Sequence, residues 1–241
     1  ILINILKKIS TIIYYLIPTK LIIEELRKSR PNKHKLQIKL TDYSVEKTFQ
    51  HFKEHIYKSL MFEEYEKIRE YAIKTALLND KNQNFFYLEL GVYKGESANF
   101  FSKHLKKLYA FDSFEGLKED WVGTRIPKGY FDLGKKVPKL NSNVEPIVGW
   151  VEDTLESFLK KHNPKINFVH IDMDTYSPAK FALEKLKPYM VKNSIILFDE
   201  LYNYDGWEFG EYKALREVFD EKDFEYKAFN LGESQVVIKI I

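Results

Sequence analysis

Apolar positions recur along this chain with two different periods. From Leu2 to Ile17 they fall at Leu2, Ile5, Leu6, Ile9, Ile12, Ile13, Leu16 and Ile17, which predicts an amphipathic helix ended by Pro18. Residues 21–58 read as helical pieces broken at Pro31, around a basic linker from Lys28 to Lys39. A further helical face is read at Met61, Tyr65, Ile68, Ala72 and Leu77, with Asn79-Asp80 at its end. Residues 1–80 are therefore expected to form a mostly helical N-terminal extension.

At Phe85 the pattern changes to short apolar runs separated by helical stretches. Strands are predicted at Phe85–Leu90, Leu108–Phe111, Glu145–Val148, Asn167–Ile171 and Ser194–Phe198. The helices between and after them are placed at Glu96–His104, Thr154–Lys161, Pro178–Lys187 and Gly210–Phe219. Two last strands, Phe224–Phe229 and Gln235–Ile240, are joined by a turn at Leu231-Gly232-Glu233. Alternation of this kind predicts an α/β domain over residues 81–241, a Rossmann-like doubly wound sheet of seven strands whose last strand runs antiparallel.

Composition changes that picture little. With 241 residues and 44% hydrophobic content there is material for one substantial core, and 34 Tyr and Phe together argue against disorder. The formal charge of +3, spread over both signs, gives no basic stripe of the kind nucleic acid needs. There is no cysteine, which excludes disulfides, thiolate zinc sites and cysteine nucleophiles. Lys7, Lys8 and Lys20 interrupt the apolar N-terminus, so no run reaches the length of a membrane span. A cytoplasmic protein is expected, with residues 1–17 packed on their own domain or on a second subunit in a homo-oligomer. Docking on a membrane surface is the alternative for that helix. The chain opens at Ile1 rather than Met, so an upstream piece is expected to precede it.

Chemistry gathers at the carboxyl ends of the predicted strands, where an open α/β sheet binds its ligands. Glu89-Leu-Gly91-Val-Tyr-Lys-Gly95 follows the first strand. Its E-x-G-x-x-x-G spacing lacks a glycine of the G-x-G-x-x-G that makes room for a pyrophosphate, so an adenosyl amino acid fits better than a dinucleotide. Asp112-Ser113 ends the second strand, 21 residues after Gly91, where an acid can accept from ribose hydroxyls. Gly149-Trp150-Val-Glu152 follows the third strand and would face an adenine. His170-Ile-Asp172-Met-Asp174 and Asp199-Glu200 end the next two. Neighbouring strands lie about 4.8 Å apart, so these acids converge, repel one another, and call for protons or a hard cation such as Mg²⁺. Such a cation would activate a hydroxyl. His170 is expected to be structural and to point away from Asp172's neighbours. The insertion Glu115–Val144 and the aromatic segment Tyr202–Glu211 hang off the same edge, as a lid and a substrate wall.

Taken together, LELGVYKGES, YAFDSFEGL, KGYFDLGKKVP, VGWVEDTL, VHIDMDTYS and ILFDELYNYDGWEFGEYKA resemble the class I S-adenosylmethionine methyltransferases of the macrocin O-methyltransferase type. The resemblance spans residues 85–241 and lies in the order and spacing of all six motifs. It implies a metal-dependent O-methyltransferase acting on a sugar hydroxyl of a glycosylated natural product or polysaccharide. Glu89, Gly91 and Gly95 would line the methionine end of S-adenosyl-L-methionine with Ser97 near, Asp112 and Ser113 would hold the ribose, and Gly149, Trp150 and Glu152 would flank the adenine. Asp172, Asp199 and Glu200 would bind Mg²⁺ or another hard divalent cation, with Asp172 doubling as general base. Tyr176, Tyr204 and Trp207 are the expected acceptor contacts. Glu200 stands where the family has a second Asp. An NAD-type oxidoreductase using the same ribose acid, and a non-catalytic scaffold docking through residues 1–17, are the alternatives.

Overall fold

The structure, a computed structural model, describes residues 35–241. The helix expected over residues 1–17, its subunit or membrane contact, and Pro31 lie outside the described residues. Contacts divide the chain into two compact units, 1–43 and 44–241. Helix α1 (Lys35–Ile56) runs through that boundary. The unit 44–241 holds the sheet.

That unit is built on eight strands: β1 (Leu60–Phe62), β2 (Phe86–Leu90), β3 (Leu108–Asp112), β4 (Val144–Val148), β5 (Ile166–Ile171), β6 (Met190–Phe198), β7 (Phe224–Asn230) and β8 (Val236–Ile240). Their order is β1-β7-β8-β6-β5-β2-β3-β4. β8 is antiparallel to both β6 and β7, and the remaining pairings are parallel. The seven expected strands are present in the expected sense. The eighth, β1, pairs with β7 at the edge and lies in a stretch that had been read as helix; Met61 is consequently 55% exposed.

Helices α2 (Tyr65–Asn79), α3 (Glu96–Ser102), α4 (Val151–His162), α5 (Tyr176–Leu186) and α6 (Glu211–Val218) complete the domain. Side chains alternate across a strand, so each strand feeds two cores. On one face Ile68, Ala72, Ile73 and Ala76 of α2 and Phe101 of α3 pack with Tyr87, Phe168 and Leu197. On the other, Leu155 of α4, Leu183 of α5 and Leu215 of α6 pack with Leu88, Val169 and Ile196, and Phe52 of α1 joins them. Every residue of β5 is buried, as befits a central strand covered on both faces.

Chain order reverses between β2 and β5. Connections leave β2 toward β3 and β4 on one side, while β5 leads on to β6. The loops after β2 and β5 therefore splay apart above their carboxyl ends and open a crevice.

Candidate active site

A cavity of about 290 Å³ occupies that crevice. Its first wall is the end of β2, β3 and β4. Gly91 sits there with φ +92, and a Cβ would overlap the carbonyl oxygen of Asp172 across the crevice, so only glycine lets the two strand ends close up. Asp112 fixes the loop after β2: its Oδ2 accepts the amides of Val92 and Tyr93, each at 2.8 Å, and its Oδ1 accepts that of Phe114 at 2.7 Å. Three of the roughly four acceptor directions of a carboxylate are then used, which leaves one toward a ligand hydroxyl. Ser113, Gly149, Trp150 and Glu152 also line this wall. Glu152 pairs through Oε1 with Lys118 at 3.1 Å, and its Oε2 is buried without a partner.

Glu89, Gly95 and Ser97 lie behind that wall, outside the cavity lining. Glu89 is fully buried, Gly95 (φ +79) turns the chain into α3, and Ser97 is 5% exposed in the first turn of α3. The insertion supplies a third side, through Lys118, Trp121 and Phe131.

The second wall carries the acids. Asp172 and Asp199 follow β5 and β6 directly, and their amides continue the sheet to Leu90 and Ile171, both at 2.9 Å. Asp199 is heavily engaged. Its Oδ1 accepts from His170 Nε2 (3.1 Å), Arg69 (3.3 Å) and Gln235 Nε2 (2.6 Å), and its Oδ2 accepts from the Tyr65 hydroxyl. Burial would raise this carboxyl, but the hydrogen bond and charge of His170, with Arg69 and Tyr65, outweigh it and hold Asp199 below the usual carboxylate range. His170 does not point away. Residues two apart on a strand share a face, so it stands under Asp172 and donates between Glu89 Oε1 (3.0 Å) and Asp199. Burial lowers its pKa, but those two carboxylates raise it to about 10.

The other acids lack such partners. Asp172 is raised well above the carboxylate range, first by burial and then by the charge of Asp199. Glu200 is raised by burial and by Asp199, Asp172 and Asp174, and its Oε2 is buried without a partner. Burial and the charges of Asp199 and Asp112 lift Asp174 to about 7. Behind them Glu211 accepts the Met173 amide at 3.0 Å. Among the described residues, two groups have donor atoms within 4.8 Å of one another: His170, Asp172 and Asp199, and Asp172, Asp174 and Glu200. The expected trio Asp172, Asp199 and Glu200 is thus split between two sets that share Asp172. A crowd of oxygen donors, one of them a buried atom without a partner, fits a hard divalent cation.

Among the expected acceptor residues, Tyr176 lies beyond this cavity and donates to Glu217 at 2.6 Å. Tyr204 packs against Trp121, ring centroids 5.8 Å apart. Trp207 is 2% exposed, wedged in the core between Phe52 and Tyr212. Sequence reading missed Tyr65, which lines the cavity, and Arg69, which packs over its ring at 3.9 Å. Both sit on α2, outside every motif.

Residues 88–201 match the family described as a methyltransferase domain. This stretch is a methyltransferase domain. Among curated proteins, none matches the chain. The methyltransferase domain resembles several solved structures in fold. One, titled CalS11, calicheamicin methyltransferase, shares 22% identity with TM-score 0.59 over 72% of this chain and 77% of that one. A second, described as apo CalS11, TDP-rhamnose 3'-O-methyltransferase, shares 21% with TM-score 0.53 over the same shares. The O-methyltransferase NovP shares 16% with TM-score 0.52 over 73% of this chain and 78% of that one. With the domain so assigned, the dinucleotide oxidoreductase is set aside.

Proposed function

We propose that this methyltransferase uses S-adenosylmethionine to methylate a hydroxyl of a sugar, with a divalent cation at the acid wall. The carrying observation is one cavity flanked on one side by Asp112 and Gly149–Glu152 and on the other by the clustered acids Asp172, Asp174 and Glu200. Support for the acceptor class comes from the structural neighbours, one of which is titled a TDP-rhamnose methyltransferase.

Each wall has its task. Asp112 and Ser113 orient the ribose, while Trp150 and Glu152 bound the adenine. S-adenosylmethionine supplies a methyl group on a sulfonium that leaves as a neutral thioether. Asp172 and Glu200, joined by Asp174 or Asp199, would hold the cation, whose Lewis acidity eases ionisation of the acceptor hydroxyl. Asp172 takes the hydroxyl proton as the new O–C bond forms and the S–C bond breaks. Alignment of the two reactants in one cavity supplies much of the acceleration.

The test is calorimetry with S-adenosylhomocysteine, followed by turnover of TDP-rhamnose with Mg²⁺ or with EDTA. Asp172→Asn is expected to abolish turnover while the affinity for S-adenosylhomocysteine stays within about threefold, a change of under 1 kcal/mol. Absence of any binding by folded protein would sink the proposal, and full turnover in EDTA would remove the cation from it.

A further inference from the structure

A second cavity of about 290 Å³ adjoins the first and shares Trp121, Asp174 and Thr175 with it. Its outer walls are aromatic: Tyr176 at the start of α5 and Phe209, which is 58% exposed in the turn before α6. Lys213, Glu119 and Asp120 supply polar edges.

The decisive residue is Thr175. It occupies the N-cap of α5, where a threonine hydroxyl ordinarily accepts an amide of the first turn. Here it does not. Glu119 from the insertion does that work, accepting the Ser177 amide at 2.9 Å and the Ser177 hydroxyl at 2.8 Å. Thr175 Oγ1 is left buried, in a residue 3% exposed, with no partner, at the seam of the two cavities. Such an orphan costs free energy unless something in the cavity bonds to it. Beside it Asp174 holds a left-handed backbone, φ +60, a conformation that costs a non-glycine residue about 1 kcal/mol or more. It carries its carboxyl into the same seam.

We propose that the second cavity is the acceptor subsite, and that it takes the ring of a sugar. The exposed ring of Phe209 matches the C–H face of a pyranose, and the Thr175 hydroxyl with the neighbouring carboxylates matches its hydroxyls. The ring then presents one hydroxyl through the seam to the acid wall of the first cavity. This inference rests on the methyl-transfer reading above.

Saturation-transfer NMR with methyl α-rhamnopyranoside, on protein saturated with S-adenosylhomocysteine, tests it. The wild type is expected to show transfer to the sugar ring protons. Phe209→Ala and Thr175→Val are each expected to weaken binding about tenfold by titration. S-adenosylhomocysteine affinity, measured by calorimetry, is expected to hold in Phe209→Ala, which touches only the second cavity. Undiminished sugar binding in both variants overturns the assignment. So does the absence of any sugar signal in wild type that binds S-adenosylhomocysteine, and the methyltransferase reading then survives. Failure of wild type to bind S-adenosylhomocysteine overturns both.

Discussion

Removing the imidazole that bridges Glu89 and Asp199 tests the electrostatic design of this sheet most directly. In His170→Leu the shape is roughly kept and the cation is lost. Asp199 retains Arg69, Gln235 and Tyr65, so its share of the loss is small. Glu89 is different: it is fully buried, His170 is the one side chain bonded to its Oε1, and its Oε2 has no partner. Breaking a buried pair by deleting one member costs about 3–5 kcal/mol, because the survivor stays buried and uncompensated. With only Glu89 stranded, the lower end, about 3 kcal/mol, is expected. Replacing both residues should recover most of it: His170→Leu with Glu89→Leu is expected within about 1 kcal/mol of wild type, since an apolar pair of similar volume is often neutral. Urea unfolding at pH 7 in EDTA, followed by circular dichroism at constant m, measures both. A single variant as stable as wild type, or a double variant no better than the single, would refute the reasoning.

The pH dependence of stability carries the same signature in EDTA. His170 has a folded pKa of about 10 against an ordinary 6.5, so its contribution is complete below pH 6.5 and disappears as pH climbs to about 10. At about 1.36 kcal/mol per pH unit the loss is roughly 5 kcal/mol. Asp174, raised to about 7, works in the same direction between pH 4 and 7, because the folded state then holds a proton the unfolded chain has released. Urea midpoints that rise across pH 7–10 would contradict this. Gly91→Ala is expected to fail to fold or to lose more than about 2 kcal/mol, since its Cβ meets the Asp172 backbone. Gly129→Ala, with a similar φ of +81 and nothing within 4 Å, should lose only about 1–2 kcal/mol of backbone strain in the same assay.

Much of this architecture could be read from the chain because central strands are continuous apolar runs. The run Asn167–Ile171 differs from β5 by one residue, and Leu108–Phe111 from β3 by one. β6 begins four residues before the predicted Ser194, since Lys192 and Asn193 disguise its exposed start. Three-residue β1 is too short to show a period and exists through its pairing with β7. The acids at 112, 172, 199 and 200 were legible because strand ends in this fold converge. Arg69 and Gln235 were not: they reach Asp199 from 130 and 36 residues away in sequence, and no local pattern marks such partners. Trp207 shows the reverse case, an aromatic in a glycine-rich stretch that belongs to the core.

The insertion is fastened to both banks of the crevice by adjacent residues, Lys118 to Glu152 in the first turn of α4 and Glu119 to Ser177 on α5. The first clasp is an ion pair with side chains 45% and 25% exposed, so dissolved salt loosens it; the second bonds a carboxylate to an amide and a hydroxyl and is less responsive. Ionic strength thus acts on one clasp more than the other. Added salt therefore weakens the hold of the insertion on the β4 side of the crevice before it weakens the hold on α5.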